Sequence, residues 1–490
     1  MKPAIPLLVT VSVALAGCAL APPASPPALP MPAAYVADLA SSSPIGTPGT
    51  LQQVVPGERP VTDWWRAFGS DKLNAWVDEG LKNNPSLEAA RHTLEAVRQQ
   101  YRATVGDNLL PSLDAQGQVS RQRALGLPEF GPPTNLYNVY AGQLSLNYNF
   151  DVFGAARYGV KQARAQVDVQ SYQLEAVRRA LAANIVIAAI NASAAAEQVD
   201  AAARLAQLAH AQADLADRAY ALGAASHDDA LTARQNAANA DAALPGLRAQ
   251  ALKARHALAV YMGRTPDRAP DPLPLSQWQW PAAIPLSVPS DLLEQRPDVQ
   301  VAAASLRAAS AQVGIATANM FPHIALSAST GSAAFKDSAL FGAGSGIWSA
   351  GLSLAQPIFH GGALRAQRKA AVAEYEASVA QYRQTVLNAF QNVADTLVAL
   401  EQDAEAWYAA HEAASLAHES FDQTQGRYRL GAVPYVLQLS SEQRWENARL
   451  AEIQATAARL VDTAALFHSM GEPPRNLGQA HESIQAVSGR

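Results

Sequence analysis

The sequence predicts a mainly α-helical chain with a membrane β-barrel portion, built as a tandem duplication of one structural unit. Three features of its 490 residues point to this fold class: an internal repeat, two long helical segments without proline, and short segments in which apolar and polar residues alternate. The formal charge is nearly balanced, at −5, and no lysine- or arginine-rich run is present. The composition therefore gives no indication of a nucleic-acid partner.

The repeat is most visible in two short motifs. "YALGAAS" begins at Tyr220 and "YRLGAVP" begins at Tyr428, which is 208 residues later. Two further pairs of segments match at the same offset, and a third pair matches at an offset of 212. These pairs are 258–263 with 466–471, 142–146 with 350–354, and 84–87 with 296–299. Four pairs of matching segments in the same order indicate a duplication. We therefore expect each structural role of the unit to occur twice in the chain.

The repeat also sets the expected domain boundaries. We expect a signal peptide at 1–17, a lipidated N-terminal tether at 18–72, a first structural repeat at 73–283, a second at 284–471 and a C-terminal tail at 472–490.

The N-terminus has the pattern of an exported lipoprotein. Lys2 precedes a mostly apolar run at 4–16, which is too short to span a bilayer and is typical of a secretory signal. "LAGC" resembles the bacterial lipobox, which implies cleavage after Gly17 and a covalent lipid on Cys18. By the same resemblance, Ala19 in place of aspartate favours the outer membrane. The alternative is an ordinary signal peptide with an incidental cysteine. Cys18 is the only cysteine, which excludes intramolecular disulfides.

Two segments, 157–222 and 365–430, predict unusually long helices. Both lack proline, are rich in helix-forming residues and end in Leu-Gly-Ala, where glycine is expected to cap the helix. Sixty-six helical residues extend roughly 100 Å, which is too long for a compact globular domain. The apolar stretch at 181–196 is interrupted by Asn184 and Asn191, so we interpret it as a packed helix rather than a membrane span.

Shorter helices flank each long one. Return helices are predicted at 226–262 and 434–470, and preceding helices at roughly 73–109 and 290–320. Pro245 is expected to kink the first return helix.

Four segments alternate with a period of two residues. The clearest is "QLSLNYNFD" at 143–151, and weaker versions lie at 113–123, 324–330 and 348–355. Alternation over about 10 residues is typical of membrane barrel strands, although a soluble sheet with one wet face has the same period. Four strands cannot close a barrel, and open edges find no hydrogen-bond partners in lipid. The barrel must therefore be built by two, three or four copies of the chain in total, which would give 8, 12 or 16 strands, and the residues alone do not decide the number.

These features together resemble the outer-membrane efflux family. They are the lipobox, the doubled helix–strand–strand–helix unit, "RPDV" at 296–299, "PIFHGG" at 357–362 and the doubled Y-x-L-G-A. The pattern is similar to TolC-like proteins, and among them to NodT-type, OprM-like lipoproteins. The resemblance implies a homotrimer, with a twelve-stranded β-barrel in the outer membrane and a long α-helical periplasmic barrel.

The same resemblance implies a function and partners. The protein is expected to be the outer-membrane exit duct of a tripartite RND-type efflux system, with a periplasmic adaptor (a membrane fusion protein) and an inner-membrane pump as partners. The alternatives are the outer-membrane component of type I protein secretion and a non-conducting periplasmic structural lipoprotein.

In such a duct, the Leu-Gly-Ala turns would mark the periplasmic aperture. Asp228 and Asp229 follow the first turn, where they could form acidic rings or serve as ordinary helix N-cap acids. Tyr435 and Arg444 follow the second turn and are candidates for contacts that hold the aperture closed.

One position departs from the family pattern. The family commonly places aspartate near position 441, with arginine three residues later. Here Ser441 replaces the acid, Arg444 retains the base and Glu442 could substitute only imperfectly. We therefore expect that the usual carboxylate–arginine latch is altered.

The sequence contains no motif that supports an enzymatic function. His227, next to the two aspartates, has no partner histidine at metal-binding spacing, and "GAGSG" at 342–346 lacks the lysine of a phosphate-binding loop. We expect neither an enzyme nor a metal site, and no cofactor apart from the covalent lipid on Cys18.

The lipoprotein interpretation predicts the effect of Cys18→Ser. Because the thioether to diacylglycerol requires the cysteine sulfur, the substitution should abolish labelling by radioactive fatty acid, while the barrel can still insert. Labelling that persists in the Cys18→Ser protein would show that the lipid is not on this residue.

Overall fold

The computed structural model describes residues 20–30, 32, 35, 44–45, 52–58, 61–125 and 134–471. Cys18, the predicted signal peptide and the predicted C-terminal tail lie outside these residues. The chain forms two compact units, each assembled from several segments. The first, here called the sheet unit, comprises 93–171, 301–384 and the N-terminal residues up to 28. The second, the helical unit, comprises 29–92, 172–300 and the residues from 385 onward.

The described residues contain eight α-helices and seven β-strands. The helices are α1 Asp71–Asn83, α2 Pro85–Leu109, α3 Ala155–Ala221, α4 His227–Tyr261, α5 Pro289–Gln295, α6 Pro297–Ala318, α7 Ala363–Arg429 and α8 Tyr435–Met470. The strands are β1 Pro44–Ile45, β2 Gln52–Pro56, β3 Ser112–Leu125, β4 Thr134–Phe150, β5 Ala283–Leu286, β6 His323–Ala334 and β7 Gly346–Ala355.

The two long helices are confirmed. Helices α3 and α7 have 67 residues each, and both of their ends are displaced by the repeat offset of 208. Gly223 follows α3 with a φ of 71°, and Gly431 follows α7 with a φ of 73°. At the first of these ends, the backbone N–H of Ala224 donates to the carbonyl of Ala219 at 2.8 Å. This is the left-handed glycine cap that the Leu-Gly-Ala motif predicts.

The apolar stretch of α3 is a packed helix, as the sequence predicts. Helix α3 is apolar and long enough to be a candidate membrane span by composition. Ile185, Val186 and Ile190 are nevertheless completely buried within the protein.

The helices that precede α3 and α7 are shorter than predicted. The sequence suggested one helix at 73–109 and one at 290–320, but the structure divides each into two. The breaks fall at Asn84–Pro85 and Arg296–Pro297, where Asn84 and Arg296 have extended backbones with ψ of 123° and 121°. A residue before proline avoids the helical region, because the proline ring clashes with its backbone. Asn84 Oδ1 then accepts the N–H of Ser86 at 2.9 Å and so begins the next helix.

The return helices α4 and α8 begin and end within about one residue of their predicted limits. Pro245 lies inside α4, which continues past it to Tyr261.

The sheet unit contains one four-stranded antiparallel sheet in the order β3-β4-β6-β7. All four predicted strands are confirmed. Leu144 of β4 pairs with Ala115 on one side and Thr330 on the other, while β3 and β7 each pair along one edge only among the described residues. A side chain at Gly331 would come within 2.3 Å of the carbonyl oxygen of Gly142, so the close approach of these strands requires glycine there.

Part of the segment predicted to be a tether is packed. Strand β2 pairs in parallel with β5 in a small three-stranded sheet of the helical unit. Trp64, Trp65 and Phe68 are buried, and the Trp64 ring stacks on Phe467 with centroids 5.4 Å apart. These aromatic side chains bury far more apolar area than proline, alanine and serine can. The packed chain therefore begins earlier than the predicted boundary at residue 72.

The proline-rich segment near the N-terminus also makes contacts, within the sheet unit. Ser310 donates its hydroxyl to the carbonyl of Pro22 at 2.7 Å, and Tyr375 donates to the carbonyl of Pro23 at 3.1 Å.

A buried arginine organises the core of the helical unit. Arg459 of α8 is fully buried, and its Nε donates to Oε1 of Gln52 at 3.0 Å. Its guanidinium carbon lies 4.7 Å from the ring centroid of Trp280 and 5.6 Å from that of Trp407. The arginine thus joins β2 to α7 and α8 by a hydrogen bond and by cation–π contacts.

The carboxyl of Asp403 lies close to this core. Burial raises the pKa of Asp403 to about 6, and the neighbouring Asp462 carboxyl contributes through a hydrogen bond and charge repulsion, while Arg459 opposes the shift. The folded protein therefore holds this proton more tightly than the unfolded chain does. The resulting stabilisation is present below the ordinary pKa of 3.8 and is lost as pH rises through about 6.

Asp403→Asn should remove this pH dependence, because the amide is neutral at every pH. We expect the thermal midpoint of the variant to rise relative to wild type as pH increases from about 4 to about 7, as measured by circular dichroism. Asp395→Asn, at an exposed site on the same helix, is the matched control and should show no such trend. A constant difference between Asp403→Asn and wild type across this range would contradict the assignment.

Candidate functional site

The two helix hairpins of the helical unit form the candidate site. One hairpin joins α3 to α4 and the other joins α7 to α8, with their turns at the repeated Leu-Gly-Ala motif. Leu222 and Leu430 are the large apolar residues of these turns, and they are 84% and 86% exposed. The duplication therefore places an exposed leucine at the tip of each hairpin.

The first hairpin shows what one of the two predicted aspartates does. Ser226 is the N-cap of α4, and its hydroxyl oxygen accepts the N–H of Asp229 at 3.1 Å. In return, Asp229 Oδ2 accepts the backbone N–H of Ser226 at 3.1 Å and its hydroxyl at 2.7 Å. These contacts form a capping box, and the hydrogen bonds from Ser226 lower the pKa of Asp229. Asp229 is thus an N-cap acid, whereas Asp228 is exposed and takes no part in the cap.

In the second hairpin, Tyr435 pairs with an aromatic residue of the same hairpin. The rings of Tyr435 and Tyr428 have centroids 5.3 Å apart. In the first hairpin, the rings of His227 and Tyr220 occupy the equivalent positions, 5.0 Å apart. An aromatic contact across the base of the turn is therefore common to both repeats.

Glu442 does not pair with Arg444. It is buried, and its Oε1 accepts two hydrogen bonds from the guanidinium of Arg204 on α3, one of them from Nε at 2.8 Å. Ser441 is also buried, and its hydroxyl donates to the carbonyl of Gln438 at 2.8 Å. Arg444 is exposed, with no ion pair to any described residue. Glu442 therefore does not replace the missing family acid within the chain, because Arg204 already engages it.

No motif in the sequence singles out Arg204. Its pairing with Glu442 connects α3 of the first repeat to α8 of the second, and the side-chain amides of Gln212 and Gln443 make a second such contact at 3.1 Å. Contacts between helices of different hairpins leave no periodic signal along the chain. Arg204 is one of several arginines on α3, and its presence gives no other indication of its partner.

A further ion pair stabilises the first hairpin. Arg234 of α4 donates from Nε to both carboxylate oxygens of Asp217 on α3, each at 3.0 Å. Two acidic residues lie at the start of α4. Asp229 belongs to the capping box, whereas Asp228 contacts neither the cap nor an arginine of the described residues.

Comparison with known proteins decides the family. The profile of the family described as "Outer membrane efflux protein" matches residues 76–264 and 288–472, one segment for each repeat. The chain belongs to the outer membrane efflux protein family. The protein is accordingly an efflux component of the outer membrane, and the family resemblance drawn from its motifs is confirmed.

Individual members of the outer membrane efflux family are similar over nearly the whole chain. The toluene efflux pump outer membrane protein TtgC of Pseudomonas putida is 29% identical over 474 residues, which cover 93% of each chain. Nodulation protein T of Rhizobium leguminosarum bv. viciae is 27% identical over 93% of this chain and 89% of its own.

A solved channel of the family shows the same fold. The open-state structure of the MtrE outer membrane channel of Neisseria gonorrhoeae superimposes with a TM-score of 0.75 at 27% identity. The superposition covers 91% of this chain and 98% of the MtrE chain. The TolC-like fold class predicted from the sequence is thereby confirmed.

The Arg204–Glu442 contact leads to a stability prediction for this efflux protein. Glu442→Gln should lower the free energy of unfolding by about 1 kcal/mol, because it removes a charge-assisted hydrogen bond from a largely buried acid. Arg444→Gln should leave it unchanged. In a double-mutant cycle with Arg204→Gln, the coupling to Glu442 should be about 1 kcal/mol. If Arg444, rather than Arg204, couples to Glu442 in denaturant unfolding, the partner assigned here is incorrect.

Proposed function

We propose that the protein is the outer-membrane exit duct of a tripartite efflux system and that it works as a homotrimer. The observation that carries this proposal is the four-stranded sheet, in which β3 and β7 each have an unpaired edge within the described chain. In a hydrocarbon phase, the backbone groups of such edges have no water to bond, so the sheet must be closed.

Closure by copies of the same chain supports the trimer. A membrane barrel needs at least about eight strands, and the described residues of one chain supply four, so β3 of one copy must pair with β7 of the next. Three copies give twelve strands, which is the number that the family resemblance implies. All residues of β7 are exposed in the single chain, as expected for an edge strand that pairs with a strand of another copy in the assembly.

The partners are proposed from the relatives. TtgC is named as the outer membrane protein of a toluene efflux pump. For the present chain we infer an inner-membrane pump of the RND type and a periplasmic adaptor that connects the two. A lipid on Cys18 would add an anchor to the barrel in the outer membrane.

The hairpin turns are the proposed periplasmic aperture. In a trimer, three copies of Asp228 near one axis would form an acidic ring, because this carboxylate is exposed and outside the capping box. The like charges of such a ring attract counter-ions into the pore and repel one another. Contacts of other residues must then hold the aperture closed, and we assign this role to Tyr435, the first residue of α8, and to Arg444, which lies nine residues further along the helix.

The trimer can be tested by cross-linking in a background without cysteine. Cys18→Ser removes the only cysteine, after which Val119→Cys on β3 can be combined with cysteines placed along β7 at 346–354. Within one chain, these edges are separated by three strand spacings, or about 14 Å, which is too far for a disulfide. Oxidation should therefore give covalent trimers on denaturing gels, and native mass spectrometry should give the mass of three chains.

The matched control is Val119→Cys alone, which should give no ladder. A stable monomer in mild detergent, with no cross-link at any position along β7, would exclude the shared barrel.

The aperture makes a separate prediction. Arg444→Ala should raise single-channel conductance in planar bilayers and vancomycin sensitivity of cells, because a contact that holds the closed state is lost. Asp228→Ala should lower cation selectivity, read from reversal potentials, with a smaller effect on opening.

Arg248→Ala, an exposed arginine farther along α4, serves as the control for loss of positive charge. If Arg444→Ala leaks no more than Arg248→Ala, the aperture is closed by other contacts. Unchanged selectivity in Asp228→Ala would exclude the acidic ring.

A further inference from the structure

The four-stranded sheet of the sheet unit has one strongly apolar face. Its apolar residues alternate along each strand, and the pairing register places them side by side across the sheet. Leu113 of β3 lies opposite Leu146 of β4, and Leu352 of β7 lies opposite Leu326 of β6. The other face is rich in serine, asparagine and glutamine. In the proposed barrel, the apolar face is therefore the one that contacts lipid.

Aromatic residues of β4 mark both limits of this apolar face. Tyr148 and Phe150 lie at one end, and Tyr140 lies at the other. Phe150 lies ten positions after Tyr140, which corresponds to about 33 Å of strand. A strand tilted by about 40° then spans about 25 Å of membrane, which is the height of the apolar band of outer-membrane barrels between its two aromatic girdles.

Three basic residues follow on the same face, just beyond the upper aromatic limit. Arg121 of β3 lies opposite Asn138 of β4, the next residue past Tyr140 on this face. Arg123 is the next residue of β3 on this face after Arg121. Lys336 comes two positions after the residue of β6 that pairs with Tyr140, in extended backbone with φ −127° and ψ 141°.

A contact of Phe335 shows on which side Lys336 lies. The ring of Phe335 packs edge to face against Tyr137, with centroids 5.6 Å apart. Tyr137 belongs to the polar face, where its hydroxyl accepts a hydrogen bond from Gln122 at 3.2 Å. Because successive side chains of an extended chain lie on opposite sides, Lys336 lies on the apolar side.

The positive charge of this group is not balanced by the sheet itself. Arg121, Arg123 and Lys336 are all exposed, and the ion pairs of the described sheet unit involve other residues. None of the described residues on the apolar face is an aspartate or a glutamate. Arg121 and Lys336 lie on either side of β4, two strand spacings or about 10 Å apart. Each chain therefore presents a formal charge of +3 at one level of the face.

The three basic residues lie at the end of the sheet that is remote from the helices. Strand β3 follows α2 and β4 leads into α3, so the helices join the sheet at the end that bears Tyr148 and Phe150. The connections from β3 to β4 and from β6 to β7 lie at the opposite end, as the basic residues do. In the proposed duct the helices extend into the periplasm, so the basic residues lie at the outer leaflet.

We propose that Arg121, Arg123 and Lys336 bind the phosphates of lipopolysaccharide in the outer leaflet of the outer membrane. Lipid A carries acyl chains and phosphates on one glucosamine disaccharide, so its phosphates lie where the acyl layer ends. Arginine binds phosphate through two parallel hydrogen bonds, and lysine binds it as a point charge. The acyl chains would cover the apolar face below. The inference rests on the proposed barrel, because the closed barrel presents this face to lipid.

The test is native mass spectrometry of the purified full-length protein in detergent, titrated with bisphosphorylated lipid A. We expect saturable binding, with one lipid A per chain. The double variant Arg121→Gln/Lys336→Gln should weaken this binding by about tenfold or more, because two cations that face the phosphates are lost.

The matched control is Arg365→Gln/Lys369→Gln. It removes one exposed arginine and one exposed lysine near the start of α7, at the opposite end of the same unit, and should leave the affinity unchanged. Lipid A without its phosphates should bind more weakly than bisphosphorylated lipid A, again by about tenfold or more. Neither inorganic phosphate nor phosphatidylglycerol should displace bisphosphorylated lipid A at equal concentration.

Three outcomes would overturn the lipid site. Equal affinity of the double variant and the control would mean that these basic residues are merely solvated. Equal binding of lipid A with and without phosphates would mean that acyl contact alone holds the lipid. Displacement by phosphate or phosphatidylglycerol would mean that the site takes any phosphate and does not select lipopolysaccharide.

The same spectra separate this inference from the proposed barrel, because they report the mass of the protein. A trimer that binds no lipid A would contradict the lipid site alone. A monomer would contradict the closed barrel, and the lipid site with it.

Discussion

The packing of α3 against α4 through alanine is the interaction on which the helical unit depends. Most of the stability of a helix in a protein comes from packing its apolar face against a neighbour, and in α3 that face extends along a helix of 67 residues. Two clusters provide that face, one of Ala202 and Ala206 with Leu244, and one of Ala209 and Ala213 with Ala237. Small side chains allow the helix backbones to approach closely. The apolar seam then runs past Pro245 and holds α4 in place where one backbone hydrogen bond is missing.

The second repeat keeps this architecture with different side chains. At the repeat offset, Ala213 and Ala237 correspond to Phe421 and Trp445, whose rings stack at 5.5 Å. A contact between two methyl groups has thus become a contact between two aromatic rings at the same position of the hairpin. The polar positions have diverged as well, since Leu244 corresponds to Glu452. The duplicated unit therefore fixes where helices meet, and the residues at each meeting point are free to differ in size and charge.

The hairpin turns show the opposite behaviour, since they have changed little. Leu222 and Leu430 are both exposed, and glycine with positive φ follows each of them. A left-handed cap tolerates few residues other than glycine, so the turn geometry limits divergence. The N-caps differ, however: α4 begins with a capping box at Ser226, and α8 begins after Pro434, which has no side chain to accept a hydrogen bond. The first turn is consequently the more firmly closed by local hydrogen bonds.

The features that depend on neighbours along the chain can be predicted from the sequence. Helix ends at Gly223 and Gly431, strand alternation in β4 and the duplicated order of elements all follow from local backbone preferences and from period. The breaks at Asn84 and Arg296 are equally local, because a proline follows each, so the sequence carries the signal for both. Tertiary structure alone decided the contacts between distant segments. Glu442 pairs with Arg204, 238 positions away, and Arg459 bonds to Gln52, 407 positions away, within a segment whose proline-rich surroundings suggested a tether. Such contacts depend on which helix faces are brought together in space, and no periodicity of a single helix records the identity of its neighbour.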